Sequence, residues 1–310
     1  EYLIMSKINY CGQRTARNMS GMSGYRDRSS DILFDKGTKF ELLKLQSGLW
    51  GADPFVFSFE NKTVLFFELF IEEINKGVIG VSEYDGSGFS QPKIVIEEPY
   101  HLSFPCVFEM NDILYMIPES GSQHNIVLYE CESYPYKWVR KKVLLEHFDS
   151  SDTIVFHKEG KTYLLASQLV NSTCIAKNVL FELDPNSLEL SKIKEGGTCS
   201  DDGIRNAGLL FSHNGKLIRP GQNCPDGEYG KSTIFWEVFN PLEIQEEQLC
   251  ELTVDMLNID LKNKFSGVHT YNQCDALEVI DLRIVQKNLL YKRIFLFVNF
   301  VISFLKSKLR

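Results

Sequence analysis

The feature that most constrains the fold is an internal repeat between residues 50 and 285. Each repeat has an apolar strand, a tight polar turn and a second apolar strand, and four of them begin at residues 53, 104, 152 and 206. The five segments are, in order, DPFVFSFENKTVLFFE (53–68), FPCVFEMNDILYMIPE (104–119), DTIVFHKEGKTYLLASQ (152–168), NAGLLFSHNGKLIRPGQ (206–222) and the less regular HTYNQCDALEVIDLR (269–283). A repeat of this length is typical of solenoids and propellers.

A second hairpin follows most of the repeats, so that each unit supplies four strands. Asn214-Gly215 is the strongest hairpin signal, and Glu159-Gly160 is also compatible with a tight turn. Four-stranded units with this period predict an all-β fold, a five-bladed β-propeller. Residues 40–46, FELLKLQ, precede the first repeat and are predicted to complete the last blade, which closes the ring and removes exposed sheet edges.

Composition supports a strand-rich folded domain and argues against nucleic acid as a partner. Hydrophobic residues make up 44% of the chain and aromatic residues 12%, which favours strands and excludes a mainly disordered chain. The chain has 33 Lys and Arg against 41 Asp and Glu, a formal net charge of −8. A protein that coats a phosphate backbone carries the opposite sign.

The cysteine and glycine patterns indicate neither a metal nor a cofactor. None of the eight cysteines forms a CxxC pair, which excludes a zinc ribbon and a thioredoxin-like motif. Free thiols in a reducing compartment are expected, and hence a cytoplasmic protein. No glycine-rich phosphate loop stands between a strand and a helix, so that we predict no cofactor and no metal.

The propeller is predicted to span residues 38–285, with both ends of the chain outside it. Residues 1–37 include a stretch rich in Gly, Ser, Arg and Asn with little apolar periodicity, and are predicted to be a flexible lead-in. Residues 286–310 are predicted to form a basic amphipathic helix. On a helix of 100° per residue, one polar stripe collects Lys292, Asn299, Ser303, Lys306 and Arg310.

The apolar part of this tail is too short to span a bilayer. A helix with a large apolar face and basic residues at both ends fits the membrane interface, so that residues 289–310 are predicted to make peripheral contact with the inner membrane face. Packing of the same helix on the domain or on a dimer partner is the alternative.

Polar side chains recur where the first strand of each blade begins and where the second ends. In a propeller the first strand lines the axis and the second runs back, so that both positions share one mouth. These side chains are Asp53, His101, Ser103, Asp152, Arg205, Asn206 and His269 at the starts, and Glu68, Glu119, Gln168 and Gln222, with Arg219 nearby, at the ends. Burying so many polar groups costs free energy unless they pair or bind something. We therefore predict a ligand site; a self-satisfied structural plug, in which Arg219 pairs with Glu119, is the alternative.

Eight segments resemble the propeller domain at the N-terminal side of glucosamine inositolphosphorylceramide transferases and of related bacterial proteins. They are LWGADPFVF, VLFFELF, HLSFPCVFE, LYMIPES, SSDTIVFH, GIRNAGLLF, LIRPGQNCPDGEYG and GVHTYN, and they span residues 49–272. The resemblance implies a carbohydrate-active propeller. The plant proteins carry a separate glycosyltransferase domain after the propeller, which is not expected in a chain of this length.

The same propeller is similar to that of glycoside hydrolase family 43, and this resemblance implies roles for three residues. Asp53, in Ala-Asp-Pro, matches the general base that acts on water, and Asp152 matches the blade 3 carboxylate that tunes the acid. His269 matches a histidine that those enzymes often place on the axis. Blade 4 departs from the pattern, because Arg205-Asn206-Ala207-Gly208 stands where the acid Glu is expected.

This departure bears on the reaction. Hydrolysis of an ordinary glycoside needs an acid for the leaving group, whereas a phosphate leaves as a stabilised anion that Arg205 and Arg219 would hold. The sequence therefore predicts a glycosyltransferase-like enzyme that uses an activated sugar donor and a glycan or glycolipid acceptor, with Asp53 as general base. The other catalytic candidates are Asp152 and Glu119. The substrate-binding candidates are Glu68, His101, Ser103, Arg205, Asn206, Arg219, Gln222 and His269.

Two alternatives remain open. One is a glycoside hydrolase in which Glu119 or Glu68 serves as a relocated acid. The other is a non-catalytic propeller that binds glycans or scaffolds a partner enzyme, in which case Asp53 and Asp152 are dispensable for any activity.

Overall fold

A computed structural model describes residues 21–28, 38–170, 175–196, 200, 202–274 and 276–284. Within these ranges the chain forms 21 β-strands and four three-residue 3₁₀ helices, with no α-helix. The strands are β1 (Gly21–Asp27), β2 (Glu41–Leu42), β3 (Leu49–Phe59), β4 (Lys62–Ile71), β5 (Lys76–Glu83), β6 (Lys93–Ile96), β7 (Ser103–Met110), β8 (Ile113–Glu119), β9 (Asn125–Ser133), β10 (Lys137–Glu146), β11 (Ser150–Lys158), β12 (Lys161–Leu169), β13 (Ala176–Leu183), β14 (Leu190–Glu195), β15 (Asp202–Asn206), β16 (Phe211–His213), β17 (Lys216–Asn223), β18 (Ser232–Asn240), β19 (Gln245–Leu252), β20 (Phe265–Gln273) and β21 (Leu277–Ile284).

The strands form five antiparallel sheets, which confirms the predicted all-β, five-bladed propeller. Blades 1, 2 and 3 are β3–β6, β7–β10 and β11–β14, each in chain order. Blade 4 is β15, β17, β18 and β19, with the short β16 paired to β17, and blade 5 is β20, β21, β1 and β2. Aromatic contacts join neighbouring blades: Phe55 meets Phe104 edge-to-face at 4.8 Å between ring centroids, and Phe235 meets Tyr271 at 5.1 Å.

Blade 5 is completed by strands from the N-terminal side of the chain. β2 lies within residues 40–46, as predicted, and β1 pairs with β21 along its whole length. Residues 21–27 therefore belong to the propeller and not to the lead-in predicted over residues 1–37. The sequence signal was weak because this strand is rich in Gly and Ser, and its partner strand, not an apolar pattern, determines its conformation.

A buried ion pair attaches β1 to blade 5. Nη2 of Arg26 lies 2.7 Å from Oε2 of Glu278, and both side chains are almost fully enclosed. The guanidinium of Arg26 also lies over the ring of Phe40, 4.4 Å from its centroid. These contacts fix the closing strands of the ring.

Four of the five first strands share a β-bulge near their beginning, where two residues stand opposite one. The register shifts fall between Ala52 and Phe55, Ser103 and Cys106, Ser151 and Ile154, and Val268 and Tyr271. The first bulge residue has a positive φ in blades 1 to 3, namely 47° at Asp53, 46° at Phe104 and 47° at Asp152. Bulges re-aim side chains and often lie next to functional sites, and here they place Asp53, Asp152 and His269 at one register.

Blade 2 differs from the sequence prediction in the type of residue at its bulge. The residue at its bulge is the fully buried Phe104, whereas His101 precedes the strand and Ser103 lies one residue before the bulge, opposite Glu119. Blade 2 therefore contributes an apolar side chain where blades 1 and 3 contribute a carboxylate.

The predicted helix over residues 286–310 lies outside the described residues, and so does the membrane contact assigned to residues 289–310. Both stay predictions. Among the residues that the structure describes, no helix is long and apolar enough to cross a membrane.

Candidate functional site

Two carboxylates flank one imidazole where blade 5 meets blade 1. Nδ1 of His269 lies 3.0 Å from Oδ2 of Asp281 and 3.3 Å from Oδ1 of Asp53. The backbone N–H of Asp53 donates to the same Asp281 oxygen at 3.2 Å. All three side chains are buried, so that these charges interact in a medium that screens them weakly.

The hydrogen bonds around His269 fix its protonation state. Gln222 donates from Nε2 to the carbonyl of Asn206 at 2.9 Å, which turns its Oε1 towards Nε2 of His269 at 3.0 Å. Nε2 must therefore donate, and Nδ1, which faces two carboxylates, must donate as well. His269 is accordingly an imidazolium, and it is the cation on the side of the mouth that blades 5 and 1 form.

The pKa values follow from burial and these neighbours. Burial alone lowers the pKa of His269, but the Asp281 hydrogen bond and the charge of Asp53 outweigh it and raise the pKa to about 9. Burial raises the pKa of Asp53 well above its usual range, with further contributions from Asp281 and Glu68 that the His269 charge opposes. Asp53 therefore holds a proton more readily than an exposed carboxylate does.

The His269 shift predicts a pH-dependent stability. A pKa of about 9 in the folded state against 6.5 for the free side chain means that the folded protein binds more protons between these values. The stabilisation is fully present below pH 6.5 and is lost as the pH rises to about 9, an effect of at most about 3 kcal/mol. Urea unfolding of the wild type across this range is expected to show the decline.

The matched variants are His269→Gln and His157→Gln, since His157 is an exposed histidine of β11. The first is expected to flatten the decline between pH 6.5 and 9, and the second to preserve it. An unchanged slope in His269→Gln contradicts the assignment of the imidazolium.

The opposite half of the mouth is a network across blades 2, 3 and 4. Oε2 of Glu119 accepts the Ser151 hydroxyl at 2.8 Å and the backbone N–H of Asp152 at 3.0 Å. Arg205 donates from Nε to Oδ2 of Asp152 at 2.8 Å and from Nη2 to Oγ of Ser151 at 2.6 Å. Its Nη1 makes no hydrogen bond within the described part of the chain, so that this nitrogen is available to a ligand.

Glu119 has the properties of a proton donor near neutral pH. Burial, together with the charge of Asp152, raises its pKa to about 7, although Arg205 and two hydrogen bonds oppose the rise. A carboxyl group with such a pKa is suited to general acid catalysis.

Tyr229 joins the two halves of the mouth. The guanidinium carbon of Arg205 lies 5.2 Å from the centroid of the Tyr229 ring, and the ring of His269 lies 4.5 Å away at a tilt of 51°. Burial raises the pKa of Tyr229 well above its usual range, so that the phenol is neutral and able to donate a hydrogen bond. The loop that carries it, between β17 and β18, forms one wall of the mouth.

Glu68 and His101 form the third charged contact, between blades 1 and 2. Nε2 of His101 lies 3.2 Å from Oε1 of Glu68, and Nδ1 accepts the backbone N–H of Gly77 at 3.1 Å. Burial lowers the pKa of His101, but the Glu68 charge outweighs it, so that the pKa is raised. Ser103 is buried beside this contact, whereas Gln168 lies further out, opposite Ser150.

Arg219 does not belong to the mouth, contrary to the sequence prediction. Its Nε and Nη2 bind both carboxylate oxygens of Glu246 at 2.7 and 2.5 Å, and the remaining N–H groups donate to oxygens of Gly203, Ile204 and Asn206. Arg219 therefore stabilises blade 4 and pairs neither with Glu119 nor with a ligand phosphate. The reason is strand geometry, because residues three apart on β17 face opposite sides, and Gln222 faces the axis.

Asn206 and Gln222 act on the site through other residues. Nδ2 of Asn206 donates to the carbonyls of Asp152 and Leu165 at 2.8 and 2.9 Å, which joins blade 4 to blade 3. Gln222 orients His269, as described above. Both were predicted to bind substrate, and the structure places them behind the charged groups as positioning residues.

Sequence reasoning missed Asp281, Ser151 and Tyr229. Asp281 stands opposite the blade 5 bulge, and its sequence signal is the VIDLR end of the irregular fifth repeat, whose bulge cannot be located from the residue pattern. Tyr229 lies in the glycine-flanked GEYG segment of a loop, where no strand pattern predicts an orientation.

Asp53, His269 and Asp281 are also the described residues that could hold a metal ion, since one ligand atom from each lies within 4.8 Å of the others. One imidazole nitrogen and two carboxylate oxygens form a donor set that divalent cations accept. Because Nδ1 of His269 carries a proton directed at both carboxylates, a metal ion would have to displace that proton.

Comparison with solved structures defines the class of fold to which this chain belongs. A thermostable family-43 glycoside hydrolase matches with a TM-score of 0.51 and 16% identity, over 78% of this chain and 91% of that chain. A β-xylosidase matches with a TM-score of 0.57 and 11% identity, over 76% and 92%. An α-L-arabinofuranosidase from Podospora anserina matches with a TM-score of 0.57 and 10% identity, over 85% and 98%. At these identities the likeness shows the five-bladed fold alone.

Sequence comparison identifies the family. Residues 45–286 match the family described as glucosamine inositolphosphorylceramide transferase 1, N-terminal, and the chain belongs to that family. Proteins named glucosamine inositolphosphorylceramide transferase 1 are 29% identical over 239 residues in Oryza sativa subsp. indica and 34% identical over 189 residues in Arabidopsis thaliana. The matches cover 74% and 58% of this chain but only 31% and 24% of those proteins. The suspected resemblance is confirmed, and the chain spans about a third or less of these relatives.

Proposed function

We propose that this chain binds an activated sugar donor at its axial mouth and transfers the sugar to a hydroxyl of a glycan or glycolipid acceptor. The observation that carries the proposal is the Asp53 carboxylate. Oδ1 of Asp53 is fully enclosed, and its polar contact among the described residues is the ion pair with Nδ1 of His269 at 3.3 Å. A carboxylate that is paired with an imidazolium but accepts no hydrogen bond from the described residues, at a strained backbone position, is the arrangement expected of a general base.

The charge balance of the mouth is compatible with an anionic donor. Before the reaction Asp53 and Glu119 hold protons, as their raised pKa values favour, so that three carboxylates face three cations, and Asp53 must lose its proton before it acts as general base. These are Glu68, Asp152 and Asp281 against Arg205, His101 and His269. The free Nη1 of Arg205 is then the group proposed to hold the leaving phosphate.

The acceptor class is proposed from the family. The curated relatives are named as transferases of glucosamine and inositolphosphorylceramide, which supports a glycolipid acceptor for this chain. Asp53 would remove the proton from the acceptor hydroxyl as the bond to the donor phosphate breaks, so that the sugar passes to oxygen and the phosphate leaves as an anion.

A second candidate function is glycoside hydrolysis, and Glu119 is the observation that favours it. Its pKa of about 7 supplies the acid that blade 4 lacks, with Asp53 activating water instead of an acceptor hydroxyl. This reaction needs no phosphate and no acceptor lipid.

One assay separates these functions. The full chain is incubated with nucleotide-sugars and inositol-containing glycolipids, and separately with aryl glycosides, and mass spectrometry identifies the products. Lengthened glycolipid is the result expected from the proposal, and free sugar released from aryl glycosides indicates the hydrolase. Saccharide binding without either product overturns both reactions and favours a glycan-binding propeller.

A further inference from the structure

We propose that a groove on the mouth face, between blades 4 and 5, is a second saccharide subsite that takes a sugar ring of the acceptor. This inference rests on the proposed function and extends it to a part of the surface beyond the axis. The groove encloses about 570 Å³, within the range of small-ligand sites. Its wall includes Ser232, Thr253, Val254, Lys262, Phe265 and Ser266.

The groove lies on the same face as the charged mouth and beside it. Its walls come from the beginning of β18, the end of β19 and the beginning of β20, and those ends of the strands share the face where the first strands begin. Phe265 and Ser266 stand a few residues before His269 on β20, so that the inner end of the groove lies next to the axis.

Two glycines make the wall between groove and mouth thin. A Cβ atom on Gly230 would lie 3.2 Å from Cδ2 of His269, and a Cβ atom on Gly267 would lie 2.0 Å from the carbonyl oxygen of Gly230. Gly230 also has a φ of 64°, a conformation that glycine adopts without strain. The backbone at Gly230 therefore packs directly against His269, and a single layer of backbone separates the mouth from the groove, so that a ligand occupying both would pass over the rim of this layer.

Arg283 connects the two compartments. Its Nε donates to Oγ of Ser266 in the groove at 2.9 Å, and its Nη1 donates to the carbonyl of Tyr229 in the mouth wall at 2.5 Å. Its Nη2 pairs with Glu228 of the same loop. Arg283 thus holds the loop that carries Tyr229 in place between the mouth and the groove.

The chemistry of the groove fits a sugar ring. Val254, which is only partly buried, and the small accessible part of the core residue Phe265 offer apolar surface for the C–H face of a ring, and the hydroxyl groups of Ser232, Thr253 and Ser266 also line the groove. Ser266 accepts from Arg283, so that its own O–H is left to donate, and the Thr253 side chain makes no capping hydrogen bond in the 3₁₀ turn that follows it. Glu251 is held by Ser232 and Asn223, so that its position is fixed before a ligand arrives, which lowers the entropy lost on binding.

The test measures how affinity depends on ligand length. Isothermal titration calorimetry of the full chain uses soluble saccharides of one, two and three rings from the gluco, manno, xylo and N-acetylglucosamine series. A second ring is expected to tighten binding about tenfold. Thr253→Trp, which fills the groove, is expected to abolish that gain, and Lys262→Ala to reduce it severalfold. Lys264→Ala is the matched control, since Lys264 lies two residues further and does not line the groove.

Each outcome decides the proposal. Retained single-ring binding in Thr253→Trp shows that the variant is folded, so that loss of the second-ring gain alone supports the subsite. A second-ring gain that persists in both variants overturns the groove assignment, as does wild-type binding of single rings with no gain for longer ligands. In those two cases the proposed function stands. If no saccharide of the panel binds to the wild type, the subsite proposal fails, and the transfer assay with nucleotide-sugars decides the proposed function separately.

Discussion

Replacement of Asp53 by Asn is expected to lower the rate of transfer by about 10²-fold or more, the loss typical of removing a positioned general base. The substitution keeps the size and shape of the side chain. It also suits the backbone, because Asp53 has a φ of 47° and Asn is among the residues that adopt this region most readily. The propeller is therefore expected to remain folded.

The same variant is expected to be more stable than the wild type. Burial disfavours the charged form of Asp53 and raises its pKa, so that folding near neutral pH costs either a buried charge or the uptake of a proton, and a neutral amide avoids that cost. Thermal unfolding and the transfer assay together test this combination of higher stability and lost activity. Because the base must be ionised, the wild-type rate is also expected to rise with pH.

The matched control is Asp112→Asn. Asp112 lies in the exposed turn between β7 and β8 with a φ of 61°, so that the same chemical change is made at a similar backbone position away from the mouth. Activity is expected to be unchanged there. Wild-type turnover in Asp53→Asn would show that Asp53 is not the base and would favour the glycan-binding alternative.

Replacement of Arg205 by Met is expected to destabilise the protein by about 3–5 kcal/mol, the cost of breaking a buried ion pair on one side. Two bonds from Arg205 to Asp152 and Ser151 are lost, and the Asp152 and Glu119 carboxylates are left in an enclosed site. Nucleotide-sugar binding is expected to be lost as well.

Two further variants isolate the cause. Arg140→Met, on the exposed face of β10, is expected to change the free energy of unfolding by less than about 0.5 kcal/mol. The double variant Arg205→Met/Asp152→Asn is expected to recover part of the stability, because the unpaired carboxylate is removed at a position whose positive φ suits Asn. If the single variant unfolds like the wild type in urea, Arg205 does not carry the stability of the mouth.

The repeat was sufficient to predict the ring because a propeller needs only a count of four-stranded units and a period. The same periodicity brought Asp53, Asp152 and His269 to one mouth, since equal positions in successive blades meet at the axis. Arg219 shows the limit of that reasoning. It lies on the strand that was predicted, but side chains alternate between the two faces of a strand, and Arg219 lies on the face that contacts Glu246 and not on the face directed at the axis. A bulge elsewhere in the blade shifts this alternation, so that the sequence alone does not indicate which face Arg219 takes.

Other parts of the site depend on contacts that no local pattern encodes. The imidazolium state of His269 requires Gln222 to be turned by Asn206, and these three residues lie on three strands, β20, β17 and β15, that meet only in the folded ring. Tyr229 is placed by Arg283, which lies 54 residues away in the chain. Strand β1 was missed because its pairing with β21, and not its own composition, supports it.

The construction of blade 5 has a consequence for how the protein is made. Gly21 pairs with Arg283 and Asp27 with Leu277, so that a strand that precedes blade 1 in the chain must wait for one that follows blade 4. Blades 1 to 4 are each contiguous in the chain and can assemble as they leave the ribosome, whereas the ring cannot close until residue 284 has emerged. Until then β1 is without its partner strand, and the carboxylates of the mouth lack the imidazolium that neutralises them. The charged mouth and the closed ring therefore form in the same step of folding, when β1 pairs with β21.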